Sequence, residues 1–433
     1  MALNVVFIGF FLVAFIIAAV RFSVYHDYEI FNNIIGAVFK NTELGFTISL
    51  GLAGALTLWM GIMKIGENGG AIKIITRLFS PFFAKLFPEI PKNHPAVGSI
   101  MMNFSANMLG LDNAATPMGL KAMKELQELN TEKETASKSM LMFTVINAGG
   151  MTLIPVSILA LRATTFKTQS AAFPGATIDA SATDVFLPIL IATFCSCLAS
   201  IIIVSLIQKI NIFDKVILAY LLGSILLVGG FTMYMMKLDS DQMEFQSKII
   251  ANVFIFGIII FFIGLGMLNK SNVYESFIDG AKGGFQTAVG IIPYLIGLLV
   301  AIGVFRECGA LGFINDGIRE VVLLFGGDTQ FVEAMPTALM KPLSGGGARG
   351  LMVETMKQNP LTLNSVGELI ESFPSYCVST IQGGTETTFY VLALYYGSVG
   401  IKKTRYALGA GLAVDLIGTI VAILLAYIFY PNF

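Results

Sequence analysis

Histidine, cysteine, tryptophan and charge are all scarce in this chain of 433 residues, which holds two, four and one of the first three and 13% charged side chains. His26 and His94 are far in sequence from Cys195, Cys197, Cys308 and Cys377, so the paired spacing of a structural zinc site is missing. The cysteines sit in or beside apolar segments, where they read as small packing residues rather than a disulfide framework. The net charge is −1 and no run of like charges occurs, which excludes a phosphate-tracking surface and with it a nucleic-acid partner. There is no nucleophile elbow and no H-E-x-x-H motif, and neither histidine falls in a polar break, so an enzyme is the weaker class of function. Residues 2–20 lack a basic leader and an A-x-A cleavage pattern, and therefore read as a retained span.

What is abundant is apolar surface: 55% of the residues are hydrophobic and the mean hydropathy is +0.77, the composition of an integral membrane protein. Uninterrupted apolar runs of bilayer length occur at residues 3–21, 45–63, 185–207, 216–236, 250–268, 285–305 and 406–429. Two further candidate spans, 139–161 and 374–398, carry polar, glycine-rich breaks at Ile146-Asn147-Ala148-Gly149-Gly150-Met151-Thr152 and at Ile381-Gln382-Gly383-Gly384-Thr385-Glu386-Thr387. Each break follows an earlier interruption, from Asn103 to Pro117 and from Pro342 to Gly350.

Basic residues decide how the segments 98–120 and 335–356 are read. Lys64, Lys73, Arg77, Lys85 and Lys92 precede the first, and Lys121, Lys124, Lys133 and Lys138 follow it, so both of its flanks are cytoplasmic. A segment with both ends on one side is a re-entrant hairpin. The expected fold is therefore an all-α, multi-pass protein of the cytoplasmic membrane, with about nine transmembrane helices, two re-entrant hairpins and broken helices. On this topology the second half enters its hairpin from the opposite side to the first. The two repeats are then inverted, with span 216–236 as the odd helix that turns the second half over. Residues 71–86 and 313–325 show helical spacing of apolar positions and read as amphipathic helices bracing the hairpins.

Backbone that is not helical at membrane depth must be buried in protein or line a watery cavity, so the four breaks point to one polar site. The first hairpin offers Asn103, Asn107, Asp112 and Asn113; Asp112 and Asn113 can cap the returning half-helix with Pro117 in its first turn, and Asp112 can equally contact a solute or a sodium ion. In the second hairpin, Ser344, Gly345 and Gly346 leave backbone N–H groups free at a half-helix N-terminus, and Arg349 strengthens a preference for anions. This is not a Walker A loop, because no Lys-Ser or Lys-Thr follows the glycines. The broken spans add Asn147 and Thr152 from the first half and Gln382, Thr385, Glu386, Thr387 and Thr388 from the second. An acid in mid-span costs roughly 2.5–3.5 kcal/mol on insertion scales, so Glu386 is expected to face a partner or water. It can hold a sodium ion, carry a coupling proton, bind a ribose-like hydroxyl, or pair with Arg349 or Lys341.

The stretch Asn103-Phe104-Ser105-Ala106-Asn107-Met108-Leu109-Gly110-Leu111-Asp112-Asn113-Ala114-Ala115-Thr116-Pro117, with Gly119-Leu120-Lys121-Ala122-Met123, resembles the spore maturation protein A family. Pro342-Leu343-Ser344-Gly345 and Gly383-Gly384-Thr385-Glu386-Thr387-Thr388-Phe389-Tyr390-Val391-Leu392, followed by Gly400-Ile401-Lys402-Lys403, resemble the spore maturation protein B family. The resemblance implies the nucleoside-recognition or Gate-domain group, related to the membrane part of the ferrous iron transporter B and to concentrative nucleoside transporters. It implies a Gate repeat at 1–208, a linker with one extra transmembrane helix at 209–249, and a second Gate repeat at 250–433.

Motifs and resemblance together predict a transporter-like protein that moves a small polar solute, nucleoside-like or an organic anion, with Na⁺ or H⁺ coupling and no other cofactor. Its expected partners are that solute and the bilayer, with homo-oligomerisation left open. The alternatives are a non-transporting subunit or assembly factor of the spore-maturation type, or an intramembrane enzyme in which Asp112 and Glu386 face one another.

Overall fold

The computed structural model describes residues 2–91, 94–110, 112–238 and 240–430. Their helices are, in order, α1 (Ala2–Val24), α2 (Ile30–Asn68), α3 (Ala71–Leu86), α4 (Pro95–Met108), α5 (Asp112–Leu129), α6 (Lys138–Gly149), α7 (Val156–Ser170), α8 (Phe186–Gln208) and α9 (Lys215–Met235). There follow α10 (Ser240–Leu268), α11 (Val273–Glu307), α12 (Ala310–Leu324), α13 (Met335–Met340), α14 (Gly345–Gln358), α15 (Phe373–Gly384), α16 (Thr388–Ser398) and α17 (Ala407–Phe429). A small sheet of β1 (Thr177–Ile178), β2 (Thr362–Leu363) and β3 (Glu368–Ile370) has the order β1-β3-β2, with β1 parallel and β2 antiparallel to β3. The protein is an all-α membrane protein, and α1, α2, α8, α9, α10 and α17 are each long and apolar enough to cross a bilayer.

All four expected interruptions are helix breaks: between α4 and α5, α6 and α7, α13 and α14, and α15 and α16. The order of elements repeats along the chain. An amphipathic helix, α3 or α12, precedes a hairpin, a broken helix and an unbroken apolar span, first α8 and then α17. Within this order α9 stands alone between the halves.

Helix positions differ from expectation at several points. The second span starts at Ile30 rather than 45, and the helix read at 285–305 runs from Val273 to Glu307. Hydropathy detects the apolar stretch, whereas the backbone stays helical through the polar residues beyond it. Pro117 lies inside α5 rather than in its first turn, because the helix already starts at Asp112.

The chain packs as two compact units that do not follow the sequence halves. One unit comprises residues 1–57, 157–182 and 283–382 and holds α1, α7, α12 to α14, most of α15 and the sheet. Its core gathers Ala14, Ala18, Ile30, Ile34, Val304, Phe305 and Cys308, and Gly303 leaves room for the Asn41 side chain where α11 passes α2. The other comprises residues 58–156, 183–282 and 383–433 and holds α3 to α6, α8 to α10, α16 and α17. Its core centres on Phe83, Phe104, Phe143, Val145, Ile201, Tyr395, Tyr396 and Val414. There α3 buries Ala71, Ile72, Phe82, Phe83 and Leu86 and leaves Lys73, Arg77 and Lys85 exposed, while Ile74 and Leu78, apolar positions of the expected buried face, are exposed as well.

Candidate functional site

The polar residues singled out in the sequence form two groups, one in each unit. In the unit of α4, α5, α6 and α16, the hairpin turn docks on the break of the first broken helix: the amide of Leu153 donates to the carbonyl of Met108 at 2.7 Å. Gly110 takes a left-handed φ of +69° at that turn, where an added Cβ would sit 3.1 Å from the carbonyl of Ile154.

Behind this contact lies a ring of buried amides and phenols. Asn107 Nδ2 donates to Asn147 Oδ1 at 2.9 Å, and Asn147 Nδ2 donates to the carbonyl of Phe143 at 2.9 Å. Asn103 Nδ2 donates to the carbonyl of Ala115 at 2.8 Å and to Tyr395 Oη at 3.2 Å, while Tyr395 Oη donates to Asn147 Oδ1 at 3.5 Å. Thr144 Oγ1 and Tyr396 Oη are 2.8 Å apart. The α5 backbone at Gly119 lies against the Tyr395 phenol, where an added Cβ would collide with its Oη. Asn107 and Asn147 thus meet directly, and Tyr395, which the sequence reading did not single out, links Asn103 to Asn147.

The second break lies against the first. The amide of Glu386 donates to the carbonyl of Ala148 at 3.0 Å, and the Glu386 side chain crosses the face of Gly150, whose φ is +38°. Glu386 itself is exposed, so its carboxylate faces outward from this unit rather than into a buried ion pair. Thr385 and Thr387 are buried, and Thr388 is fully buried with no hydrogen-bond partner for Oγ1 among the described residues. Thr387 occupies the N-cap position of α16 without a side-chain cap bond. Thr152 is half-buried and contributes through its carbonyl, which accepts from Thr193 Oγ1 at 3.4 Å. The side chains of Asp112 and Asn113, expected to cap and to contact solute, lie outside the described residues.

Two unbroken spans clamp this break. Ser196 Oγ of α8 donates to the carbonyl of Gly384 at 2.9 Å, and an added Cβ at Gly149 would lie 2.8 Å from the carbonyl of Ser196. On α17, Gly418 packs against Thr385 and Ser196, and Gly411 packs against Thr388, the close approach that small residues allow in membranes. Asp415 sits between those glycines and is 4% exposed. A lone acid in an apolar span is the signal by which the sequence could have revealed it.

In the other unit, α14 begins as the glycines suggested. Ser344 is its N-cap, and its Oγ accepts from the amide of Gly347 at 3.0 Å. The amides of Gly345 and Gly346 have no partner among the described residues. Arg349 follows within the next turn, half-buried, with no hydrogen-bond partner for Nε among the described residues. Buried Lys341 donates to the carbonyl of Gln382 at 2.7 Å, and Gln382 is buried with no hydrogen bond to its Oε1 among the described residues.

This unit also holds charges that sequence reading assigned no partners. Arg162, fully buried, donates from Nη1 and Nη2 to the two oxygens of Glu371 at 2.7 Å each and reaches Ser379 Oγ at 3.0 Å. Ser375 Oγ adds a 2.6 Å bond to Glu371, and the guanidinium lies 4.9 Å from the Phe166 ring centre. Glu354 of α14 is buried against Arg306 and lies 3.6 Å from Lys357 Nζ. Burial first, then the charges of Arg306 and Lys40, push Lys357 down to about 8. Among the described residues no three His, Cys, Asp or Glu side chains converge as a metal-binding set.

Comparison with known proteins fits this arrangement. The sequence model of the Gate family, described as nucleoside recognition, matches residues 49–165, from within α2 through the first hairpin into α7. The chain is 42% identical over 167 residues to spore maturation protein A of Bacillus subtilis, covering 39% of this chain and 79% of that protein. It is 40% identical over 168 residues to spore maturation protein B of the same organism, covering 39% of this chain and 87% of that protein. No solved structure matches the chain. None of the matched names denotes an enzyme.

Proposed function

The chain belongs to the family of spore maturation proteins A and B, as a fusion of the two, and from that premise we propose that it is a carrier moving a small polar solute across the cytoplasmic membrane with Na⁺ or H⁺ coupling. The observation that carries this reading is the start of α14, where the amides of Gly345 and Gly346 have no partner among the described residues and half-buried Arg349 follows in the next turn. Free N–H groups at the positive end of a half-helix attract an anionic or strongly polar group, and secondary transporters place such ends at the bilayer midplane.

A second polar group supports the same reading from the other unit. Glu386 is held at its break by a backbone bond to Ala148, and its exposed carboxylate can accept hydrogen bonds from hydroxyl groups. Hydroxyls and polar ring edges together are nucleoside chemistry; the nucleoside-recognition description of the matched family makes that class the first to try, with organic anions next. The order of hairpin, broken helix and span, present in each half, suits inverted repeats that rock around a central solute.

The test is a thermal-shift screen of the purified protein against nucleosides, organic acids and amino acids, with and without sodium, followed by uptake of the hit into proteoliposomes. Saturable stabilisation by one class, then accumulation driven by an ion gradient, is the expected result. Binding without accumulation would overturn transport and favour a non-transporting membrane subunit. Chemical conversion without a gradient would make the protein an enzyme.

A further inference from the structure

We propose that Asp415, with the Thr388 hydroxyl and the Gly384 carbonyl, forms a buried site for a sodium ion against the second helix break; its role as a coupling site rests on the carrier reading above. Asp415 is the one carboxylate in α17, the ninth residue of that helix, and so lies about 12 Å along it at 1.5 Å per residue. Mid-span acids are rare, face a protein interior or water, and mark ion pathways.

Asp415 shares its helix face with Gly411, one turn before it, and Gly418, one turn after. Both glycines mark where the break touches α17. An added Cβ at Gly411 would lie 3.1 Å from Thr388 Oγ1, and one at Gly418 would collide with Thr385 and lie 3.6 Å from the carbonyl of Gly384. A helical side chain leans toward the N-terminal turn, so the Asp415 carboxylate leans toward Gly411 and hence toward the Thr388 hydroxyl. That hydroxyl is fully buried, points at this face, and lacks a hydrogen-bond partner among the described residues.

The Asp415 carboxylate, the Thr388 hydroxyl and the carbonyl of Gly384 at the end of α15 bring three hard oxygen groups to one buried face, where Thr385 packs through its methyl. Such environments suit small hard cations, and unwound carbonyls beside half-helix ends coordinate sodium in transporters of broken-helix design. Ser196 closes the far side, its Oγ already engaged by the carbonyls of Ala192 and Gly384. The close contacts at Gly411 and Gly418 keep larger groups out.

The test measures the thermal unfolding midpoint of the detergent-purified protein in sodium, potassium and choline chloride at equal ionic strength. Sodium is expected to raise the midpoint saturably, and Asp415→Asn to remove that response. Thr388→Val should raise the half-effective sodium concentration about tenfold or more through loss of one oxygen ligand, while Thr388→Ser keeps the wild-type response. Should Asp415→Asn fail to fold, the contrast between Val and Ser at position 388 decides. Equal midpoints in the three salts, or a sodium response that survives Asp415→Asn, would overturn the site. Sodium-specific stabilisation without uptake of any solute would leave the site standing and remove the carrier reading; uptake indifferent to sodium would leave the carrier reading and overturn the coupling role of the site.

Discussion

The space that a side chain would take at Gly150 is filled by Glu386. The contact joins two helix breaks far apart in sequence, and the bond from the Glu386 amide to the Ala148 carbonyl holds it in place. Gly150→Ala is therefore expected to fail twice, by forcing a side chain into a left-handed backbone and by displacing Glu386. The backbone term alone costs about 1–2 kcal/mol. A thermal midpoint equal to that of the wild type would show that the two breaks do not need this contact.

Glu386→Gln separates fold from function. The carboxylate is exposed, so the substitution is expected to change stability by less than ~0.5 kcal/mol. Loss of solute-induced stabilisation in a variant that melts like the wild type is the expected result; an undiminished ligand response would take Glu386 out of the site.

Arg162 and Glu371 are buried together and bonded through both oxygens. Removing one partner strands the other, so Arg162→Met or Glu371→Leu alone is expected to cost about 3–5 kcal/mol. The double substitution should recover most of that loss. Denaturant titration in detergent compares the three variants, and a double variant as unstable as the worse single one would show that the pair stabilises the fold by more than charge matching.

Tyr395 joins the hairpin to the first broken helix through Asn103 and Asn147. Tyr395→Phe keeps the ring that packs on Gly119 but leaves the amides short of a partner, at a cost of about 1–2 kcal/mol. The expected signature is a lowered unfolding midpoint with faster hydrogen exchange in α4 and α6; unchanged exchange would mean that the phenol is dispensable to the hairpin.

Much of the architecture could be read from local composition, because a polar, glycine-rich stretch inside an apolar run can only be a break that the protein encloses. That logic located all four breaks, whereas the capping role of Ser344 emerges only from the structure. The ends of α2 and α11 were misplaced because hydropathy is blind to polar residues that remain helical. The sheet was not foreseen, its two- and three-residue strands being too short to show a period. Arg162 and Glu371 each looked like an ordinary residue near a membrane surface, since their pairing is a matter of tertiary contact. Asp415 is visible in sequence as an acid within an apolar span, but only the packing of that unbroken span on the breaks connects it to the other polar residues.

The compact units interleave the sequence halves: α6 and α16 belong to one, and α7 and nearly all of α15 to the other. A cut between α8 and α9 would therefore yield two polypeptides, neither owning a complete unit, and each would have to template the other during membrane insertion. Tethering them through α9 turns that search into an intramolecular event and ties the supply of both halves to a single round of synthesis.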